Sequence, residues 1–111
     1  MEKMIFEIQK FAEVSLTAGD DIHENNNSNV MILALDGNDS IKNNAANVTI
    51  DGGAGTNTLT GSDYGEIFVH DDAFDNTNII TNFGANDTLA LKLGKINKIY
   101  KNGNDLTIKY G

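Results

Sequence analysis

The chain of 111 residues contains no cysteine, proline, tryptophan or arginine. Without cysteine it can build neither a disulfide framework nor a thiolate metal site. No stretch approaches the roughly 20 consecutive apolar residues of a membrane-spanning helix. The opening Met1-Glu2-Lys3-Met4-Ile5-Phe6-Glu7 has neither the basic region nor the apolar run of a secretory signal. That start fits a cytoplasmic protein, a protein exported without a signal, or a leader lying outside this sequence. Positive charge is scarce over most of the chain. Residues 12–91 hold thirteen acids against a single lysine, Lys42, for a net charge of −12. Residues 92–111 hold five lysines and one acid, for a net charge of +4. The total of −8 argues against nucleic-acid binding. An acidic body attracts cations or a basic partner.

Catalytic groups are also sparse. His23 and His70 are the only histidines, and His70-Asp71-Asp72 is the only grouping of a catalytic or transition-metal kind. No serine sits in a nucleophile motif, and no glycine-rich loop precedes a helix. The sequence therefore predicts no enzymatic activity.

What the chain does contain is a repeat. Gly19, Gly37 and Gly55 recur with a constant period of 18, and two positions after each comes Asp21, Asp39 or Asn57. Asn29-Val30-Met31-Ile32 recurs one period later as Asn47-Val48-Thr49-Ile50. A strict period of this length predicts one coil of a stacked structure per repeat. Each coil offers two short β-rich runs separated by Gly, Asn and Asp. One run lies around Ile22, Ile41 and Leu59. The other is Val30-Met31-Ile32, Val48-Thr49-Ile50 and Ile67-Phe68-Val69. Helices are disfavoured because Asn, Asp and Gly offer the backbone better alternatives at turns. The expected fold is all-β: a flattened parallel coil with one thin aliphatic layer between two sheets. Identical positions then stack. Val30 lies over Val48, and Asn25/Asn43, Asn26/Asn44 and Asn29/Asn47 form amide ladders that hydrogen-bond along the stack. A weaker fourth coil places Asp75 in the phase of Asn57, with Ala73 in the glycine position.

The stretch from Asp51 to Gly61, DGGAGTNTLTG, resembles the nonapeptide G-G-x-G-x-D-x-U-x of the repeats-in-toxin (RTX) family. Gly52, Gly53, Gly55 and Leu59 match it, with Asn57 standing where Asp belongs. Asp36-Gly37-Asn38-Asp39-Ser40-Ile41 matches its second half. Ala18-Gly19-Asp20-Asp21-Ile22 matches more loosely, with the aliphatic residue one place early. Residues 78–91 resemble the family's closing coil, and Asn102-Gly103-Asn104-Asp105-Leu106 resembles the hairpin strand that follows it. The resemblance implies a right-handed parallel β-roll with Ca2+ between successive turns. Carried over by position, it pairs Asp21 with Asp39 and Asp39 with Asn57. Asp36, Asp75 and Asp87 are further candidate ligands along the acidic edge. The opposite edge, Asn43-Asn44-Ala45-Ala46, has no carboxylate and is expected to be metal-free.

Three segments are expected: an N-terminal cap or assembly segment at 1–17, the roll with its closing coil at 18–91, and a basic hairpin at 92–111. Asn102-Gly103 supplies the hairpin turn signal. The functional expectation is a structural protein, extracellular or on the cell surface by signal-less export. It would self-associate, with the basic end docking on the acidic roll of another copy, and a head-to-tail contact that does not close makes a filament. One alternative is a calcium-responsive module of an exported protein. Another is a carbohydrate- or ice-binding roll using Thr56, Thr58 and Thr60. That last reading is disfavoured because these threonines do not recur in adjacent periods.

Overall fold

The computed structural model describes residues 12–70, 76–91 and 98–110. Among them are eleven strands and no helix. In chain order these are β1 (Ala12–Ser15), β2 (Ile22–Asn25), β3 (Val30–Leu33), β4 (Ser40–Asn43), β5 (Val48–Asp51), β6 (Gly55–Thr60), β7 (Glu66–His70), β8 (Asn76–Thr81), β9 (Thr88–Leu91), β10 (Lys98–Asn102) and β11 (Asp105–Tyr110). Odd and even strands sort into two sheets. The order is β1-β3-β5-β7-β9 in one and β10-β11-β8-β6-β4-β2 in the other. Strands β1 to β9 pair in parallel, whereas β11 runs antiparallel to β8 and β10 antiparallel to β11. The result is a β-solenoid whose chain passes from sheet to sheet twice in each coil.

The register reproduces the period. Val30 pairs with Val48, Ile32 with Ile50 and Ile41 with Leu59, each exactly one repeat apart in sequence. The last coil is longer: Asn57 pairs with Asn78, a step of 21, and Phe68 pairs with Leu89 by the same step. Asn78, and not Asp75, therefore occupies the phase of Asn57. Asp75 itself lies outside the described residues.

Alternation along each strand turns one side chain inward and the next outward. Ile32, Ile50 and Phe68 line up from one sheet, and Ile41, Leu59 and Ile80 from the other, all buried. Val14 and Leu89 pack against the ends of this layer. The hydrophobic core is thus a single stack of aliphatic rows, and burial of their apolar area drives the coils together. The first coil departs from the pattern. The register puts His23 over Ile41, while Ile22 points outward and is 93% exposed.

The turns need unusual backbone geometry. Asn29 and Asn47 adopt left-handed conformations with φ of 61° and 60°, a role asparagine fills more readily than most residues. Gly37 has φ 103°, and a β-carbon there would collide with the carbonyl oxygen of Gly19 in the preceding coil. The coils pack backbone to backbone at this point, so only glycine fits.

One segment boundary moves. β1 pairs in register with β3, so residues from Ala12 onward belong to the solenoid and not to a separate cap. Residues 1–11 lie outside the described residues. The C-terminal hairpin forms as expected, turning at Gly103 with φ 63°, and β11 extends the six-stranded sheet by pairing with β8.

Candidate functional site

The two edges of the solenoid carry its polar chemistry. On the first edge the chain crosses from the five-stranded to the six-stranded sheet. Here Asp39 Oδ1 accepts the backbone N–H of Asp21 at 2.8 Å, and Asn57 Oδ1 accepts the N–H of Asp39 at 3.0 Å. A second chain of bonds runs outside the first and in the opposite sense. Asp20 Oδ1 accepts the N–H of Asn38 at 2.7 Å, and Asn38 Oδ1 accepts that of Thr56 at 2.8 Å. The acid or amide two places after Gly37 and Gly55 therefore clips its coil to the one before it. Asp21 is held from its own turn, with its carboxylate accepting the Thr17 N–H at 3.0 Å and the Thr17 hydroxyl at 2.8 Å.

The structure brings Asp21, Asp39 and Asn57 together as the spacing predicts. Asp39 is only 2% exposed, and its Oδ2 has no hydrogen-bond partner. Burial raises its pKa above the ordinary carboxylate value. The bond from the Asp21 N–H opposes that rise, and the charges of Asp21 and Asp20 add to it. Beyond Asn57 the ladder becomes neutral. Asn57 Nδ2 donates to Asn78 Oδ1 at 3.3 Å, and Asn78 Nδ2 lies 3.1 Å from His70 Nδ1. His70 is thus buried in the ladder and not displayed on the surface. Its sequence neighbours Asp71 and Asp72 lie outside the described residues. Asp36 is exposed and lines a largely apolar hollow of about 390 Å3 with Ala18, Leu35 and Ala54.

The opposite edge holds the expected amide ladders. Asn25 Nδ2 donates to Asn43 Oδ1 at 2.8 Å, Asn44 Nδ2 to Asn26 Oδ1 at 2.9 Å, and Asn47 Nδ2 to Asn29 Oδ1 at 2.5 Å. Asn43 also closes its own turn, donating to the Ala45 carbonyl at 2.8 Å and accepting the Ala45 N–H at 3.2 Å.

One coil further on, this edge contradicts the expectation that it lacks carboxylates. Gly61 stands one period after Asn43, so no amide side chain fills that place. Glu66, in register with Val48, fills it with its carboxylate. Glu66 Oε2 accepts Asn43 Nδ2 at 2.9 Å, the Ser62 N–H at 2.8 Å and the Ser62 hydroxyl in a very short bond. Asp87 belongs to this edge and not to the edge of Asp39, because it sits in the turn between β8 and β9. It accepts the Glu66 N–H at 2.8 Å and the Gly84 N–H at 2.7 Å. Glu66 is 1% exposed. Burial and the adjoining Asp87 carboxyl push its pKa up to about 7, against the bonds from Ser62 and Asn43. Glu66 escapes the sequence pattern because it stands in a valine phase. The exchange of Asn for Gly at 61, shortly before an acid in an apolar row, is the signal that marks it.

The outer face of the six-stranded sheet also corrects an expectation. The longer last coil brings Thr77 beside Thr56 and Thr81 beside Thr60, and Thr81 Oγ1 donates to Thr60 Oγ1 at 3.0 Å. Thr107 follows on β11, beside Ile79. Thr56 and Thr60 thus each gain one threonine neighbour, whereas Thr58 lies between Ser40 and Ile79, so no continuous threonine row forms.

Comparison of the chain with protein-family models, with curated proteins and with solved structures finds no match.

Proposed function

We propose that this is a non-enzymatic structural repeat protein of RTX-like type, outside the cell or on its surface, whose coils are tightened by Ca2+ and whose copies assemble end to end. The observation that carries the calcium reading is the Asp21–Asp39 pair. Two carboxylates stand one coil apart, the inner one is buried, and one of its oxygens receives no donor. Without a cation such a pair opposes stacking. An ion that binds the folded state and not the unfolded chain stabilises by RT ln(1 + [L]/Kd), about 2.7 kcal/mol at a hundredfold excess over Kd. Asn57 continues the ladder without charge, so the site is confined to the first coils. A chain that stays loose at low calcium and sets at high calcium suits export followed by folding.

Strand direction supports assembly. The outermost described strands are β1 and β9 in one sheet, and β2 and β10 in the other. β9 runs parallel to β1. The two antiparallel steps through β11 restore β10 to the direction of β2. A copy displaced along the stack therefore meets both sheets in the parallel sense. Charge agrees, because Glu13, Asp20, Asp21 and Glu24 lie in the first coil and residues 92–111 carry net +4. The test is circular dichroism with and without chelator, alongside mass by light scattering. The reading requires a calcium-dependent gain of β-signal and of mass. Unchanged spectra remove the calcium reading, and a monomer at all concentrations removes assembly.

The Thr56–Thr77 and Thr60–Thr81 pairs favour a second reading, a face for carbohydrate or ice. Loss of binding to an insoluble polysaccharide or of ice-recrystallisation inhibition on Thr58→Lys would support it, and absence of both activities in the native chain rejects it.

A further inference from the structure

We propose that copies of this chain dock through the six-stranded sheet alone, β2 of one copy on β10 of the next, in the register that sets Ile22 beside Tyr100 and Asp20 beside Lys98. The contact presupposes the end-to-end assembly proposed above and fixes which residues make it. Among the described residues the two sheets are unequal, five strands against six. β1 and β2 belong to one coil and lie level at the first end. At the far end β11 lies beside β8, level with β9, and β10 lies beyond β11. β10 therefore stands one strand past β9, a step of about 4.8 Å. A copy seated with β1 on β9 would put its β2 in the space that β10 occupies. Both sheets offer the parallel sense, yet only the six-stranded one can be in contact. That contact also satisfies the unpaired backbone groups of two edge strands.

The register follows from the outer rows. Strand pairing traces one row through Ile22, Ser40, Thr58, Ile79, Thr107 and Tyr100. Ile22 ends this row and is 93% exposed. The neighbouring row starts at Asp20, passes through the clips to Asn38 and Thr56, and continues by pairing to Thr77, Lys109 and Lys98. It is acidic at one end and basic at the other. A slip of one residue would turn inward side chains out, so only even slips are open. With no slip, an acid meets a lysine and an aliphatic residue meets an aromatic one, both favourable pairs across strands. A slip of two in one sense sets Ile22 beside Lys98 and Glu24 beside Tyr100. In the other sense it sets Asp20 beside Tyr100 and Ile22 beside Asn102. Neither slip keeps either pair.

Mass by light scattering in calcium tests the charged pair. Lys98→Glu should raise the concentration needed for assembly by roughly tenfold or more, because like charges then meet at the contact. Asp20→Lys should do the same. An equimolar mixture of the two variants should assemble again, since contacts between unlike copies join opposite charges. Cysteine reads the register directly, because the chain has none of its own. The two outer strands of the six-stranded sheet lie about 24 Å apart, too far for a disulfide within one copy. A chain carrying both Ile22→Cys and Tyr100→Cys should form a covalent ladder on mild oxidation, seen on a non-reducing gel. A chain carrying Ile22→Cys and Lys98→Cys should not, since two residues of slip put the α-carbons about 8 Å apart. If Asp20→Lys loses the clip to Asn38 and unfolds, the cysteine pairs carry the test. A native chain that stays monomeric removes assembly and this contact together. Assembly unaffected by Lys98→Glu, or a ladder from the Lys98 pair and not from the Tyr100 pair, overturns this contact and leaves assembly standing.

Discussion

Asp39 and Asn57 stand one coil apart and make the same bond: each accepts the backbone N–H of the residue 18 positions earlier, at 2.8 Å and 3.0 Å. An acid and an amide are equivalent as clips; they differ in charge and in the N–H that the amide adds, which Asn57 donates to Asn78. The clip holds the coils in register whatever the ion content, while the charge decides how the edge responds to cations.

Asp39→Asn separates the two roles. The side-chain oxygen remains to accept the Asp21 N–H, and a buried charge beside Asp21 disappears. In chelator the variant should melt above the native chain, by an amount on the order of 1 kcal/mol in stability. In calcium it should gain less than the native chain does. Thermal melts in both buffers check this, and a variant that melts lower in chelator contradicts the clip-and-charge account.

Acidity should stabilise the cation-free protein. The Glu66 pKa is raised from 4.5 in the unfolded chain to about 7 in the fold, so the folded state holds its proton more tightly. Stability from this group is full below about 4.5 and is lost as pH rises towards 7, then levels off. The change is on the order of 3 kcal/mol. Asp39, also raised, contributes with the same sign. Urea unfolding in chelator between pH 5 and pH 8 measures it, and Glu66→Gln should flatten the profile.

Gly37→Ala tests the close approach of coils. The backbone at φ 103° and the Gly19 carbonyl together exclude a β-carbon, and the obstacle is backbone that cannot rotate away. A loss of about 2 kcal/mol or more is expected. Gly19→Ala is the control, since its β-carbon would meet only the Thr17 hydroxyl at 3.8 Å. Chemical denaturation should separate the two clearly.

Asn43→Ala should be costly and Asn44→Ala nearly silent. Asn43 is buried, takes a bond from Asn25 and donates to both Ala45 and Glu66. Its removal leaves buried partners unsatisfied, a loss of about 2–4 kcal/mol. Asn44 bonds at the exposed surface to Asn26 and Glu24, where water replaces the lost partner, within about 0.5 kcal/mol. Equal losses in the two variants would contradict the interior ladder as the source of stability.

The coil stack was legible because identical residues at a fixed period must superpose in a parallel structure. Val30 over Val48 and Asn25 over Asn43 follow from that spacing alone. The pairing of Asp21 with Asp39 was legible for the same reason. Legibility ended where the period changed. The longer last coil moved Asn78 into the place expected for Asp75, brought Thr77 beside Thr56, and set Asp87 on the other edge. Glu66 was hidden for a different reason. Its backbone keeps the valine phase while its carboxylate reaches into the space left by Gly61, and a period describes backbone positions, not how far a side chain reaches.

The central claim, that calcium tightens the coils and so permits end-to-end assembly, meets its most direct test in mass. Light scattering over a concentration series, in millimolar calcium and in chelator, should show mass rising with concentration in calcium alone. A monomer mass at every concentration in both buffers would contradict the account.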